Sequence, residues 1–306
     1  MPARVSVPNR ADGRPMFELP DELAIDTDVA KRVITDFIRS QLRQAGFERC
    51  VLGLSGGIDS ALVAHLVSAA IGPQSLLCVL MPYTTSSSAS RTDAASVVAG
   101  LGCPSELVEI APIVDAAFGS ADGDGVLGPD ARTASQIRRG NFMARVRMAL
   151  LYDRSVTFGG LVVGTGNKTE SLIGYTTLFG DSASAFNPIG DLYKSQVRQL
   201  AAAMGVPAQV IEKAPSADLW PDQTDEAEGA FSYPVLDRIL FWRIDRRRSV
   251  EEVVALGFER ELVERVDGMV ARSEFKRQVP PVAKLGPRTA GVDYLYPRRR
   301  PGSARS

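Results

Sequence analysis

The sequence predicts an α/β chain folded as a doubly wound, Rossmann-like, mainly parallel sheet. Three observations carry this. Short apolar runs bounded by turn residues recur, as buried strands do. Segments with helical periodicity separate them, and that alternation implies a sheet covered on both faces. Clusters of Gly, Ser and polar residues follow the first and fourth runs, at the strand ends where such sheets gather ligands.

Residues 1–27, mixed and rich in Pro and acids, read as an N-terminal arm. Val29, Val33, Ile34, Phe37, Ile38 and Leu42 keep helical spacing and define a helix over 28–45 with one apolar face. Cys50–Leu54 is the first strand, and Leu62, Val63, Leu66, Val67 and Ala70 set a helix behind it. "SLLCVLMP" (75–82) is the second strand. "SSSASRTDAASVVAGLG" (86–102) opens on cap residues and becomes helical. "ELVEI" (106–110) is the third strand, and "GSADGDGVLGPDA" (119–131) is a loop. "NFMARVRMALLYDRS" (141–155) is a helix and "LVVGT" (161–165) the fourth strand. "DLYKSQVRQLAAAMG" (191–205) reads as a helix with Asp191 at its start and Gly205 at its end. No repeat or domain-scale linker divides the chain, so one domain over 1–306 is expected, with a solvated basic tail at 297–306.

Composition excludes several classes. The 306 residues are 45% hydrophobic and 23% charged with a formal net charge of −1, ordinary values for a globular protein. Near-neutrality offers no general attraction to nucleic acid or to an anionic membrane. No apolar run approaches a membrane span, and the first residues lack the apolar core of a signal peptide. Cys50, Cys78 and Cys103 are widely spaced, without a CxxC pair, which suits a reducing cytoplasm. His65 is the single histidine, so Ser-His-Asp, Cys-His and His-rich metal chemistry are not expected.

The chemistry concentrates in "LSGGIDS" (54–60). Gly56 and Gly57 permit a tight bend between strand and helix and let a ligand approach the backbone. The first N–H groups of the helix point into that bend, where the helix dipole favours an anion. Ser55 and Ser60 add hydroxyls, and Asp59 adds a carboxylate able to hold a metal. The chain has no G-x-x-x-x-G-K-[ST] loop, and "GTGNKT" (164–169) lacks the third glycine of a dinucleotide fingerprint. The hexad S-G-G-x-D-S resembles instead the loop of the PP-loop ATP pyrophosphatases, which cleave ATP between its α and β phosphates.

Further blocks narrow the resemblance. "GLSGGIDSAL" (53–62), "NFMARVRMALLYD" (141–153), "VVGTGNKTESLIGYTTLFGD" (162–181), "NPIGDLYKSQVRQLA" (187–201), "EKAPSADLWPDQTDE" (212–226) and "SEFKRQVPP" (273–281) occur in order. Over about residues 28–296 the chain resembles the NAD synthetase family. The resemblance implies an adenine-nucleotide alpha-hydrolase fold and amidation of deamido-NAD through an adenylated carboxylate, releasing AMP and pyrophosphate. ATP is then a co-substrate and Mg2+ the cofactor. By matching motif positions, Gly53, Leu54, Ser55, Gly56, Gly57, Ile58, Asp59, Ser60, Thr165, Lys194 and Ser216 are expected to bind ATP, with Asp59 and Lys194 catalytic. Asp59 and Glu170 stand at the family's metal positions, and Arg145 and Lys276 at positions that contact deamido-NAD. The same resemblance implies a homodimer, for which the 141–153 helix is the candidate interface.

The chain also departs from the ammonia-dependent pattern. Leu178, Ala185 and Phe275 replace a Lys, an Asp and a His that help hold deamido-NAD there, so those roles are not transferred. "TTLFGDSASAFNPIGDLYKSQV" and "KLGPRTAGVDYLYP" look closer to the synthetase half of glutamine-dependent members. No glutaminase motif surrounds any cysteine, so ammonia is the expected donor, free or delivered by a separate glutaminase. The alternatives are a tRNA-modifying PP-loop enzyme, disfavoured by charge and cysteine placement, and an inactive nucleotide-binding homologue, supported only by the three departures.

Overall fold

A computed structural model describes residue 7 and residues 15–118, 131–214, 231–290 and 292–293. Four parallel strands form its sheet: β1 (Arg49–Gly53), β2 (Leu76–Leu80), β3 (Ser105–Leu107) and β4 (Gly160–Val162). Their spatial order is β3-β2-β1-β4. Cys50 pairs with Leu76 on one side and with Leu161 on the other, so β1 is central.

The strands alternate between two cores. Cys50, Leu52, Leu76 and Cys78 face one, packed with α1 (Thr27–Ala45), α2 (Ile58–Ile71), α3 (Ser88–Leu101) and α7 (Lys194–Ala203). Val51 and Val79 face the other, against α4 (Ala111–Phe118) and α5 (Ala131–Phe158). Burial on both faces explains why the strand sequences read as continuous apolar runs rather than alternating ones. The doubly wound fold follows from that two-sided covering. α6 (Lys168–Ile173) and α8 (Ala208–Glu212) flank α7 in the chain. A third cluster joins Leu23, Ile173 and Tyr193 to α9 (Tyr233–Leu240), α10 (Val250–Ala255) and α11 (Arg260–Arg272).

Several expectations need correction. α7 begins at Lys194, not Asp191. The Asp191 side chain is almost wholly exposed, beside the Lys168 ammonium, while the Tyr193 N–H is met by Gln196 Oε1 at 2.9 Å. The third and fourth strands are shorter than the apolar runs that announce them, ending at Leu107 and Val162. On α1 only Ile34, Ile38 and Leu42 of the apolar set are buried. Val29, Val33 and Phe37 centre about 140° further round the helix and are exposed. The part of the arm that is described is docked: Leu23 is buried, and Gln199 both donates to the Ile25 carbonyl and accepts from its N–H. The 119–131 stretch lies outside the described residues except for Ala131, which opens α5, and the 297–306 tail lies wholly outside them. No helix among the described residues is long and apolar enough to cross a membrane.

Candidate functional site

The strand order places β1 beside β4, with β2 and β3 leading away on the far side of β1. The β1–β4 junction is therefore the switch point of the sheet, where a crevice opens at the carboxyl ends of the strands. A cavity of about 570 Å³ lies there. Gly53, Leu54, Ser55, Gly57, Asp59 and Ser60 line it from the loop after β1, and Thr165 and Glu170 from the segment after β4. Lys194 and Lys276 complete this set.

The loop after β1 is a closed hydrogen-bonded unit. Ser60 Oγ accepts from the Ser55 N–H at 3.2 Å and donates to the Gly57 carbonyl at 3.0 Å. Ser55 Oγ accepts from the Gly57 N–H at 3.2 Å. Gly56 has φ +83°, and a Cβ there would stand 2.1 Å from the Ser90 carbonyl oxygen at the start of α3. Only glycine lets the loop pass so close to α3 while turning left-handed. Gly56 and Ile58 are thus structural members of the loop: neither lines the cavity, and Ile58 is buried in the core.

Three charged groups meet at the mouth of this loop. Lys194 Nζ lies 2.5 Å from Asp59 Oδ2 and 3.1 Å from Glu170 Oε1. Its side chain is 3% exposed and its ammonium also stands 5.3 Å from the centre of the Tyr233 ring. Burial pushes the Glu170 carboxyl up to about 7, against the pull of the Lys194 charge and with the help of Asp59. Two carboxylates sharing one cation are a hard-oxygen donor pair, and the ammonium stands in for the cation they would hold. Among the described residues no third His, Cys, Asp or Glu joins them. That set fits magnesium, which takes one or two carboxylates and fills its remaining positions with phosphate oxygens and water.

Asn167, fully buried, was not singled out from the sequence. Its Nδ2 donates to Asp59 Oδ1 at 2.9 Å, and its Oδ1 accepts from the Glu170 N–H at 3.0 Å. The Glu170 carboxylate accepts from the Asn167 N–H in return, completing a capping box. The spacing N-x-x-E in "GTGNKTE" is a readable sign of that box. The second omission, Asp237, carries no such sign. It lies in an apolar stretch of α9, is fully buried, and bonds to Thr169 and Ser195.

The far wall holds the remaining candidates. Lys276 Nζ donates to the carbonyls of Gly174 and Thr176 at 2.8 and 2.7 Å, and burial lowers its pKa. Thr176 and Thr177 are pinned to Asp181, whose carboxylate accepts from the Thr176 hydroxyl and the Thr177 N–H. Arg145 is exposed on α5 and does not line the cavity; it donates to the Leu178 carbonyl at 3.2 Å. The side chains that replace the ammonia-type residues stay out as well. Leu178, Ala185 and Phe275 are absent from the lining, and Phe275 is 62% exposed. Ser216 lies outside the described residues. Cys50, Cys78 and Cys103 are all buried, and none reaches the cavity. His65, half-buried on α2, bonds the Ala61 carbonyl at 2.8 Å.

This geometry has known relatives. The sequence profile of the NAD synthase family matches residues 30–280. The NH(3)-dependent NAD(+) synthetase of Trichlorobacter lovleyi is 48% identical over 276 residues, covering 90% of this chain and 97% of its own. The solved NH3-dependent NAD synthetase of Campylobacter jejuni is 32% identical with a TM-score of 0.70, over 85% of this chain and 100% of that one. The NMN synthetase of Francisella tularensis has a TM-score of 0.71 at 28% identity, over 85% of this chain and 99% of that one. The profile match takes in every block that builds the cavity, from the loop after β1 to Lys276, and on that extent of agreement the chain belongs to the NAD synthase family.

Proposed function

We propose that this chain amidates deamido-NAD to NAD, with ATP as co-substrate and ammonia as nitrogen donor. One observation carries the reading. The phosphate-type loop after β1, the two carboxylates and the buried Lys194 converge at the switch point of the sheet.

The roles follow from the geometry. ATP enters with its phosphates toward the Ser55–Ser60 loop, where the first turn of α2 favours an anion. Asp59 and Glu170 would hold magnesium, which neutralises charge on the phosphate chain. Lys194 bridges both carboxylates with a single positive charge. With those oxygens holding a divalent cation, the Lys194 ammonium would turn to a phosphate oxygen, and neither the carboxylates nor the lysine would be left as an unpaired buried charge. Thr165 and Ser216 are assigned to the nucleotide, and Met81, Met148 and Leu151 offer an apolar wall for its base. Arg145 and Lys276 are assigned to deamido-NAD.

The nicotinate carboxylate oxygen attacks the α-phosphorus and the bond to the β-phosphate bridging oxygen breaks, expelling pyrophosphate. Charge growing on that leaving group is met by the loop N–H groups, the Ser hydroxyls and Lys194. Ammonia then adds to the activated carbonyl carbon, loses a proton, and AMP departs. We further infer a homodimer through the 141–153 segment of α5: Met143 and Val146 face the chain's own core, and Tyr152, with Ile137 and Val156 on either side of the segment, is left exposed. Light scattering at assay concentration tests that assignment, and a fully active monomer overturns it.

The decisive experiment supplies ATP, magnesium and ammonium with deamido-NAD or with its mononucleotide counterpart, deamido-NMN. NAD, AMP and pyrophosphate should appear in equal amounts. ADP and phosphate would overturn the adenylation mechanism, and preferential turnover of the mononucleotide would overturn the dinucleotide assignment.

A further inference from the structure

Asp237 sits in the middle of α9 with no exposed surface. A carboxylate so placed is costly unless its oxygens are bonded. Oδ1 accepts from Thr169 Oγ1 at 2.6 Å. Oδ2 accepts from the Ser195 N–H at 2.8 Å and from Ser195 Oγ at 2.7 Å. Thr169, having donated its hydroxyl proton, accepts in turn from the Lys194 N–H at 3.0 Å. Every one of these donors is therefore Lys194 itself or a chain neighbour of Lys194 or Glu170.

α9 does not need the carboxylate for its own packing. Tyr233, Leu236, Ile239 and Leu240 already bury it in the third cluster. What the carboxylate does is tie the first turn of α6 to the first turn of α7. Those turns present Glu170 Oε1 and Lys194 Nζ to each other at 3.1 Å. Without the tie, the bond from the Lys168 N–H to the Leu192 carbonyl at 2.9 Å would still join the two segments. The Thr169 hydroxyl that receives the Lys194 N–H would lose the acceptor that orients it, and the Ser195 end would be held by packing, which is not directional.

We propose that Asp237 is a positioning residue of the ATP site, acting through Thr169 and Ser195 to hold Glu170 and Lys194 in register. The inference rests on the reading that Lys194 and Glu170 meet magnesium and ATP. Burial raises the Asp237 pKa, and the bonds from Thr169 and Ser195 and the nearby Lys194 charge oppose that rise.

The test uses Asp237→Asn, which keeps the size and removes the charge, and the pair Thr169→Val and Thr169→Ser. Each purified full chain is melted, and its affinity for ATP with magnesium is measured by calorimetry without deamido-NAD. Steady-state constants follow for each substrate. Asp237→Asn and Thr169→Val should lose about 10- to 100-fold in affinity and in kcat/KM for ATP, the range expected when a partner that orients a ligand-holding group is removed. KM for deamido-NAD should stay within about twofold, and Thr169→Ser should behave as wild type because it keeps the hydroxyl. If Asp237→Asn fails to fold, the Thr169 pair decides. Wild-type ATP affinity in Thr169→Val overturns the proposal. So does a loss spread equally over all substrates and matched by a lower melting temperature. Lys194→Ala and Glu170→Ala run in parallel: if they also bind ATP normally, the reading of the site falls and the inference with it. If they are impaired while the Asp237 and Thr169 variants are not, the inference alone falls.

Discussion

Asn167 holds Asp59 by its amide nitrogen while its amide oxygen caps the helix that carries Glu170. One buried side chain from the segment after β4 thus orients both carboxylates assigned to the metal. Asn167→Ala should remove the cap, costing about 0.5–2 kcal/mol of stability, and should lower turnover by roughly 10- to 100-fold. Calorimetry and initial rates check the two effects. Normal turnover in a folded variant would show that Asp59 needs no such support.

The carboxylates themselves give a sharper expectation. Asp59→Ala or Glu170→Ala should remove most turnover while leaving the far-UV circular dichroism unchanged, because both groups stand at the edge of the cavity rather than in a core. Chelating magnesium should abolish turnover in the wild type, and added magnesium should restore it. Near-normal rates for either variant at ordinary magnesium would refute the assignment.

Gly56 and Gly57 should respond differently to alanine. At Gly56 the backbone is left-handed and the new Cβ would press on the Ser90 backbone, whereas at Gly57 the nearest atom is the movable Ser55 Oγ at 3.3 Å. Gly56→Ala should cost at least about 1–3 kcal/mol, the scale of a strained backbone site. Urea unfolding of the two variants makes the comparison. Equal stabilities would mean that α3 yields freely.

Thiol reactivity should be ordered by environment. Burial pushes the Cys50 thiol up to about 12 and the Cys103 contact pushes Cys78 higher still. The same contact, with Sγ atoms 3.6 Å apart, brings Cys103 down to about 7. Its reactive thiolate therefore accumulates as pH rises through about 7 and disappears below it. Iodoacetamide followed by peptide mass spectrometry should label Cys103 first, with a rate that levels off above neutrality. First labelling at Cys50 would contradict this order.

No cysteine lines the cavity, so glutamine should not replace ammonium in the isolated chain. A donor comparison with glutamine freed of ammonium checks this by product analysis. NAD accompanied by an equal amount of glutamate would reveal a glutaminase site. A separate glutaminase feeding ammonia to the chain would appear only when that second protein is added.

Much of this site was legible because its parts are local. The turn after the first apolar run, the N-x-x-E spacing, and Lys194 in its block are all visible within a dozen residues. What the sequence hid are relations between distant segments. Nothing near Asp237 announces that its carboxylate faces Thr169 and Ser195. The docking of Leu23 follows from the third cluster and that of Ile25 from its two bonds to Gln199 on α7, neither of which any single segment reveals. The α1 stripe was overread because Val29, Val33 and Phe37 fit helical spacing as well as the residues that are buried, and spacing alone does not say which face has a partner. The start of α7 was misplaced because Asp191 looks like a cap, while in the fold it answers the Lys168 charge.

The adjacency of β1 and β4 also governs how the protein comes into being. Arg49 pairs with Gly160, so the two halves of the crevice are joined only after about half of the 306 residues have been synthesised and the intervening strands and helices have found their places. Such a non-local closure is slow relative to helix formation. The first two strands can settle into a hydrophobic layer early, yet Asp59 then carries its charge without Asn167 or Lys194. Catalytic competence is for this reason a late property of the folding chain: secondary structure should return first in a refolding experiment, and activity only once the fourth strand and the segments after it that carry Lys194 and Asp237 have docked.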